Sequence, residues 1–228
     1  MKKYLLAAAL AGAACTPAAA GSLTYDSYTW SGVNINITSP NNISGGAGPI
    51  TLYEKGAVVA SDLWCMDVNN YLLGGATVGV IPGTLANLDS GLPGVPTDLT
   101  AKQLLALGWL VKQGDQQTED FLKGVAQVAI WSEEYGSAFK YDSLGANFAL
   151  DVQADLDFAN DEANAGNSSN LALSFYVPGE GISSQTLIGG TATSAPEPST
   201  WAMGIVGFAL MAGMGWKRSR KDRLAVIG

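Results

Sequence analysis

Thr118-Glu119-Asp120-Phe121-Leu122-Lys123-Gly124-Val125-Ala126-Gln127-Val128-Ala129-Ile130-Trp131 is the stretch on which the fold turns. Acids stand at its start, where a helix N-terminus favours negative charge. Phe121, Val125, Val128, Ala129 and Trp131 recur at helical spacing, and the pattern ends near Gly136. One polar residue, Gln127, interrupts the apolar run. Its neighbours at three and four residues are Lys123, Gly124, Ile130 and Trp131. A glutamine so placed is expected to be buried and to need a partner. Gly124, one turn earlier, would let another backbone come close.

Two more helical patterns flank this one. Thr100-Ala101-Lys102-Gln103 has capping-box spacing ahead of Leu104, Leu105, Leu107, Trp109 and Leu110. From about Asn147 to Ala163, Phe148, Val152, Leu156 and Ala159 form an apolar side. Together they make a helical insert over about 98–165. On either side the period changes to two. Leu23 and Tyr25, then Val33, Ile35 and Ile37, alternate with polar residues within Ser22 to Thr38. Ile50 to Tyr53 and Ala57 to Val68 are further strands, as are Leu171 to Val177 and, weakly, Gln185 to Ile188. Asn41 to Gly48 reads as a turn, and Gly74-Gly75 and Pro82 to Pro96 as loops. The fold class is therefore α+β, a sandwich-like or barrel-like β part with a helical insert, over 21–188.

The whole chain has 228 residues, with 12 Lys+Arg against 20 Asp+Glu, two cysteines and no histidine. Without histidine, Ser-His-Asp and Cys-His catalysis and His-ligated metals are excluded. Residues 21–195 hold five lysines and 18 acids, a net charge of −13, which repels nucleic acid. Asp151 to Glu162 does not hold a calcium loop, because Ala159 and Asn160 stand where a ligand and a glycine are needed. Glu133 and Glu134 are not a glycosidase pair, since neighbours on a helix point about 100° apart. No metal, cofactor or catalytic residue is expected, and the protein is not read as an enzyme.

Cys15 falls in an N-terminal leader, which leaves Cys65, in Leu63-Trp64-Cys65-Met66-Asp67-Val68, as the one cysteine of the exported body. It is a buried bystander, an intermolecular partner or a reactive group. On a strand, Cys65, Asp67 and Asn69 would share a face opposite Trp64, Met66 and Val68, which sets the sulfur among polar groups.

Cys65 after an aromatic residue, with Gln127-x-Ala129-Ile130-Trp131 some sixty residues later, resembles the two halves of the thioester-domain motif of bacterial surface adhesins. The resemblance implies that the sulfur of Cys65 and the side-chain carbonyl of Gln127 condense with loss of ammonia, the cysteine lying in a β-rich part and the glutamine on a helix. Ala129, Ile130 and Trp131 would seat the glutamine. An amine or hydroxyl on a partner could then attack Gln127 Cδ and free the thiol. Trp64, Ile130 and Trp131 would exclude water, and Asp67 would position the sulfur or accept a proton. Trp64 departs from the tyrosine, phenylalanine or leucine commoner in the family.

The two ends read as addresses. Met1-Lys2-Lys3, the apolar run Leu5 to Ala14 and Ala18-x-Ala20 form a signal peptide over 1–20. Residues 189–200 are a small, polar linker ending in Pro196-Glu197-Pro198-Ser199-Thr200. An apolar run follows over 201–216, then the basic cluster Lys217-Arg218-Ser219-Arg220-Lys221 within a cytoplasmic tail, 217–228. Sixteen helical residues span roughly 24 Å, somewhat short of a bilayer core of roughly 30 Å, a deficit that snorkelling lysines and arginines offset. The whole resembles the PEP-CTERM sorting signal of Gram-negative bacteria, which also carries the label of an ice-binding-protein C-terminal domain. That resemblance implies an exosortase as partner, a transient stay in the inner membrane, and release to the cell surface, the exopolysaccharide or the biofilm matrix. A rival expectation with the same address is a noncatalytic structural or carbohydrate-binding protein of that matrix.

Overall fold

The computed structural model describes residues 21–83, 91–169, 171, 173–179 and 182–189. The leader (1–20), the motif Pro196-Glu197-Pro198, the apolar run 201–216 and the tail 217–228 lie outside the described residues. Among the described residues no helix is long and apolar enough to cross a membrane.

In chain order the strands are β1 (Gly21–Tyr25), β2 (Ser27–Trp30), β3 (Val33–Ser39), β4 (Ile43–Ala47), β5 (Ile50–Glu54), β6 (Ala57–Cys65) and β7 (Ala76–Gly83). Then come α1 (Ala101–Asp115), α2 (Asp120–Tyr135), a 3₁₀ turn (Gly136–Ala138), β8 (Lys140–Tyr141), α3 (Ala146–Asn164), β9 (Leu173–Pro178) and β10 (Leu187–Gly189). Seven strands form one antiparallel sheet in the order β1-β7-β9-β10-β6-β5-β2, and β4-β3-β8 form a second. The protein is thus α+β, mostly sheet with three helices, and the described strands do not close into a barrel.

The helical insert holds as expected. Thr100 Oγ1 accepts from Gln103 N–H and Gln103 Oε1 from Thr100 N–H, which closes the capping box of α1. α2 and α3 differ from the expected bounds by a residue or two at each end. The three helices pack on one another.

The β part departs from the expectation in three places. The alternating stretch 22–38 is not one strand: β1 and β2 lie at opposite edges of the larger sheet, and β3 belongs to the smaller. Asp26 makes the first break, its Oδ2 accepting from Lys55 N–H at 2.7 Å. Gly32 makes the second. With Gly48 facing it, both at positive φ (140° and 149°), it lets the backbones approach so closely that a Cβ on either would strike a carbonyl. Asn41 to Gly48, expected as a turn, contains β4. Its Gly46 leaves room for the Trp30 ring, so a glycine that reads as a turn signal is a packing vacancy. Residues 76–81 are assigned no strand from sequence and Pro82 onward reads as loop, whereas β7 runs through both, with Pro82 and Gly83 facing Ser174 and Leu173 of β9.

Candidate functional site

β6 lies between β10 and β5, and its last three residues, Leu63, Trp64 and Cys65, are all buried. Strict alternation fails here because helices cover the strand end, α1 at Trp64 and α2 at Cys65, and because the register shifts just before it. Leu52 faces Ala60 while Ile50 faces Leu63, so β6 carries an extra residue, and Asp62 at φ 55° takes up the bulge. Beyond Cys65 the chain leaves the sheet, and Met66 N–H still donates to Thr186 O at 2.9 Å. The expectation of a polar face shared by Cys65, Asp67 and Asn69 is corrected: the strand ends at Cys65, and the sulfur is enclosed.

β5 begins at Ile50, opposite Leu63, so at Cys65 β6 has run past that neighbour. Gln127 takes the missing strand's place. Cys65 N–H donates to Gln127 Oε1 at 3.0 Å, and Gln127 Nε2 donates to Cys65 O at 2.9 Å. A side-chain amide here does what a backbone amide does in a ladder, and it satisfies two buried groups that would each cost about 1–3 kcal/mol if left unpaired. Gln127 is wholly buried, as are Val125, Ala126, Val128, Ala129 and Ile130 around it.

The thiol of Cys65 donates to the backbone carbonyl of Asp67 at 3.1 Å. Burial pushes that thiol far above its ordinary range, and the nearby Asp67 and Glu134 carboxyls push the same way, whereas the Trp131 indole N–H favours the thiolate. The Asp67 carboxylate is otherwise engaged. It accepts from Asn69 N–H and Asn70 Nδ2, both at 2.7 Å, and lies against Gly94. Asp67 therefore meets the sulfur through its main chain, not through the side chain the sequence singled out.

Trp64 and Gly124 serve elsewhere. The Trp64 ring lies on Gly114 of α1 and its Nε1–H donates to Asp115 Oδ1 at 2.8 Å, so it pins β6 to α1. Gly124 faces the side chain of Val33 on β3, not a backbone and not the cysteine strand. Trp131 is on the same stripe of α2 as Gln127, and its ring meets Phe139 at 5.9 Å between centroids.

Two residues of α2 that the sequence did not assign to the site stand beside it. Tyr135 Oη donates to Gly94 O at 2.6 Å and lies near Met66 O and Val68 N–H, which ties the last turn of α2 to the segment after Cys65. Glu134 is buried, neither carboxyl oxygen has a hydrogen-bond partner among the described residues, and burial together with the Asp67 charge pushes its carboxyl well above the ordinary range. Its place seven residues after Gln127 marks the same helix face, a signal available in the sequence. What the sequence hid was that the helix end is covered.

A cleft of about 300 Å³ opens between the two sheets. Tyr28, Trp30, Asn34, Tyr71 and Gln185 line it, with Trp131 of the cysteine site at its wall, and none of the described residues that line it is charged. Trp30 and Tyr71 are partly open to solvent there, at 39% and 57%.

No protein-family model and no curated protein matches the chain. Among solved structures it is similar to the N-terminal thioester domain of a surface protein from Clostridium perfringens, at 21% identity and a TM-score of 0.37, over 61% of this chain and 86% of that one.

Proposed function

We propose that the protein is an exported, adhesin-like surface or matrix protein in which Cys65 and Gln127 form an internal thioester for covalent attachment to an amine or hydroxyl on a partner. The observation that carries this reading is the pairing of Gln127's carboxamide with both backbone polar groups of Cys65 in a buried setting. It holds the carbonyl carbon of one side chain next to the residue that bears the thiol. Attack of sulfur on Cδ forms one C–S bond and breaks one C–N bond, and the thiol proton leaves with the nitrogen as ammonia. The thioester is a stronger electrophile than the amide because sulfur donates less into the carbonyl and leaves readily. The reaction with a partner happens once and regenerates nothing, so the protein is not an enzyme. On this reading the PEP-CTERM-like tail directs an exosortase-dependent passage through the inner membrane to the exopolysaccharide matrix. Intact-mass measurement tests the chemistry. The fresh protein should weigh one ammonia less than its sequence and resist thiol alkylation; the mass deficit should vanish in Cys65→Ala and Gln127→Ala, and Gln127→Ala should expose an alkylatable thiol. Methylamine should add at Gln127 and free the thiol together. A full sequence mass with an ordinary thiol would sink the proposal.

The cleft favours a second reading, noncovalent carbohydrate binding. Aromatic faces with neutral amides and no charge suit a neutral sugar, which stacks its C–H face on rings and bonds its hydroxyls to amides. Trp30→Ala should then abolish retention on a neutral polysaccharide column while Cys65→Ala leaves it unchanged.

A further inference from the structure

Cys65 and Gln127 are both enclosed, so a molecule that opens a bond between them must approach through a hollow in the surface. The cleft between the two sheets comes up to the site from one side. Gln185, in its wall, stands just before β10, whose Leu187 faces Cys65, and Thr186 O accepts from Met66 N–H, so Gln185 lies beside the chain that leaves the cysteine. Gln185 Nε2 donates to Asp67 O at 3.3 Å, and the Cys65 thiol donates to that same carbonyl at 3.1 Å. One carbonyl oxygen therefore separates the sulfur from a side chain of the cleft. Val68, next in the chain, lines the cleft as well, and so does Trp131, one helical turn from Gln127 on the same face of α2. The hollow at Phe121, Leu144 and Phe148 touches none of these residues.

The lining selects what enters. Trp30 and Tyr71 present partly open rings, Asn34 and Gln185 present carboxamides, and none of the described residues that line the cleft is charged. A sugar lays its C–H face on an aromatic ring and exchanges hydrogen bonds with amides, with no charge to strip of water. A lysine side chain arrives as an ammonium and must shed a proton before it attacks. Among the described lining residues there is no carboxylate to pair with it or to take that proton. A hydroxyl arrives neutral.

We propose that this cleft is the acceptor site of the thioester and that the acceptor is a hydroxyl of a neutral polysaccharide, an inference that rests on the thioester reading and gives it a partner. The cleft holds the sugar with one hydroxyl toward the wall formed by Gln185, Val68 and Trp131, and the hydroxyl oxygen attacks Gln127 Cδ. One C–O bond forms, the C–S bond breaks, and the hydroxyl proton passes to the sulfur, which returns to the thiol. The product is an ester that fastens the protein to the polymer.

The experiment incubates fresh full-length protein separately with methylamine, with a lysine-containing peptide, and with short oligomers of glucose, of mannose and of galactose, and follows intact mass and thiol alkylation over time. Methylamine reports on the thioester alone. At least one oligomer should add to the protein, free the Cys65 thiol, and come off again in neutral hydroxylamine, which cleaves esters and spares amides. In Trp30→Ala the rate of saccharide capture relative to methylamine addition should fall about tenfold, the order of one lost stacking contact. Should Trp30→Ala not fold by circular dichroism, Tyr71→Ala, at the more open ring, should show the same fall. If methylamine adds and no oligomer does, or if the peptide adds in their place and resists hydroxylamine, the acceptor is not a sugar hydroxyl and the proposal is overturned while the thioester stands. If saccharide capture keeps its wild-type ratio to methylamine addition in the ring variants, the cleft is not the acceptor site. If methylamine itself adds nothing and the fresh protein has its full sequence mass, the thioester reading fails and takes the acceptor site with it.

Discussion

α2 and α3 come from the same insert and both carry several acids, yet they treat them in opposite ways. On α3, Asp157 and Asp161 are exposed, and Asp157 accepts from Gln153 Nε2 on its own helix. On α2, Gln127 and Glu134 are buried, because the smaller sheet lies on one side of the helix and the end of β6 on another. Composition does not separate the two helices; what covers them does. A solvated acid costs nothing and does little, whereas an enclosed one must be paired, neutral or put to use.

The difference is broken most severely at Gln127. Gln127→Leu keeps the helix but strips both hydrogen bonds from Cys65, and it should destabilise the domain by about 2–4 kcal/mol in chemical denaturation. A loss under half a kcal/mol would mean that the buried strand end finds another partner. Gly124→Ala is the next largest. Alanine gains about 1 kcal/mol of helix propensity. The new Cβ collides with the stiff Val33 side chain, overpacking that costs about 1–3 kcal/mol. A net drop in Tm is expected, and an increase would show that β3 yields.

The titration of the two helices sharpens the contrast. Glu134 has its carboxyl raised in the folded state, so it lends stability at low pH that is lost as pH rises through its folded value. Glu134→Gln should therefore gain on wild type in denaturation midpoint as pH increases from about 4 upward. A pH-independent difference would mean that Glu134 is paired after all. On α3, burial and the neighbouring Asp151 push the Asp155 carboxyl up to about 6. The same sign holds there within a narrower window, from about pH 4 to pH 6, and Asp155→Asn should remove a small loss of stability across it. Asp161→Asn, on the exposed side, should change stability by less than about 0.5 kcal/mol.

The helices were legible because their signals are local. The capping box of Thr100 and Gln103, the apolar spacing of α2 and the one-sided pattern of α3 each sit within a few turns of chain. The strands were legible only in part. Leu23 to Ile37 alternates correctly, but nothing in the alternation says that β1 and β2 are separated by five strands or that β3 joins another sheet. The turn reading of Asn41 to Gly48 fails at Gly46, because glycine also makes room for a neighbour, here the Trp30 ring.

For the site, the sequence by itself singled out Cys65 and Gln127, since a polar residue in an apolar helical run must find a partner wherever it is buried. Which partner it finds was decided by tertiary structure: β5 stops two residues short, and the backbone of Cys65 is left for a side chain to pair. The roles of Trp64, Asp67 and Gly124 were settled the same way, by α1, by the loop at Asn69 and Asn70, and by Val33. Glu134 shows the limit most plainly. Its position on the helix face follows from a period of 3.6 residues, but a carboxyl is ordinary in water and exceptional when enclosed, and enclosure is a property of segments far apart in the chain.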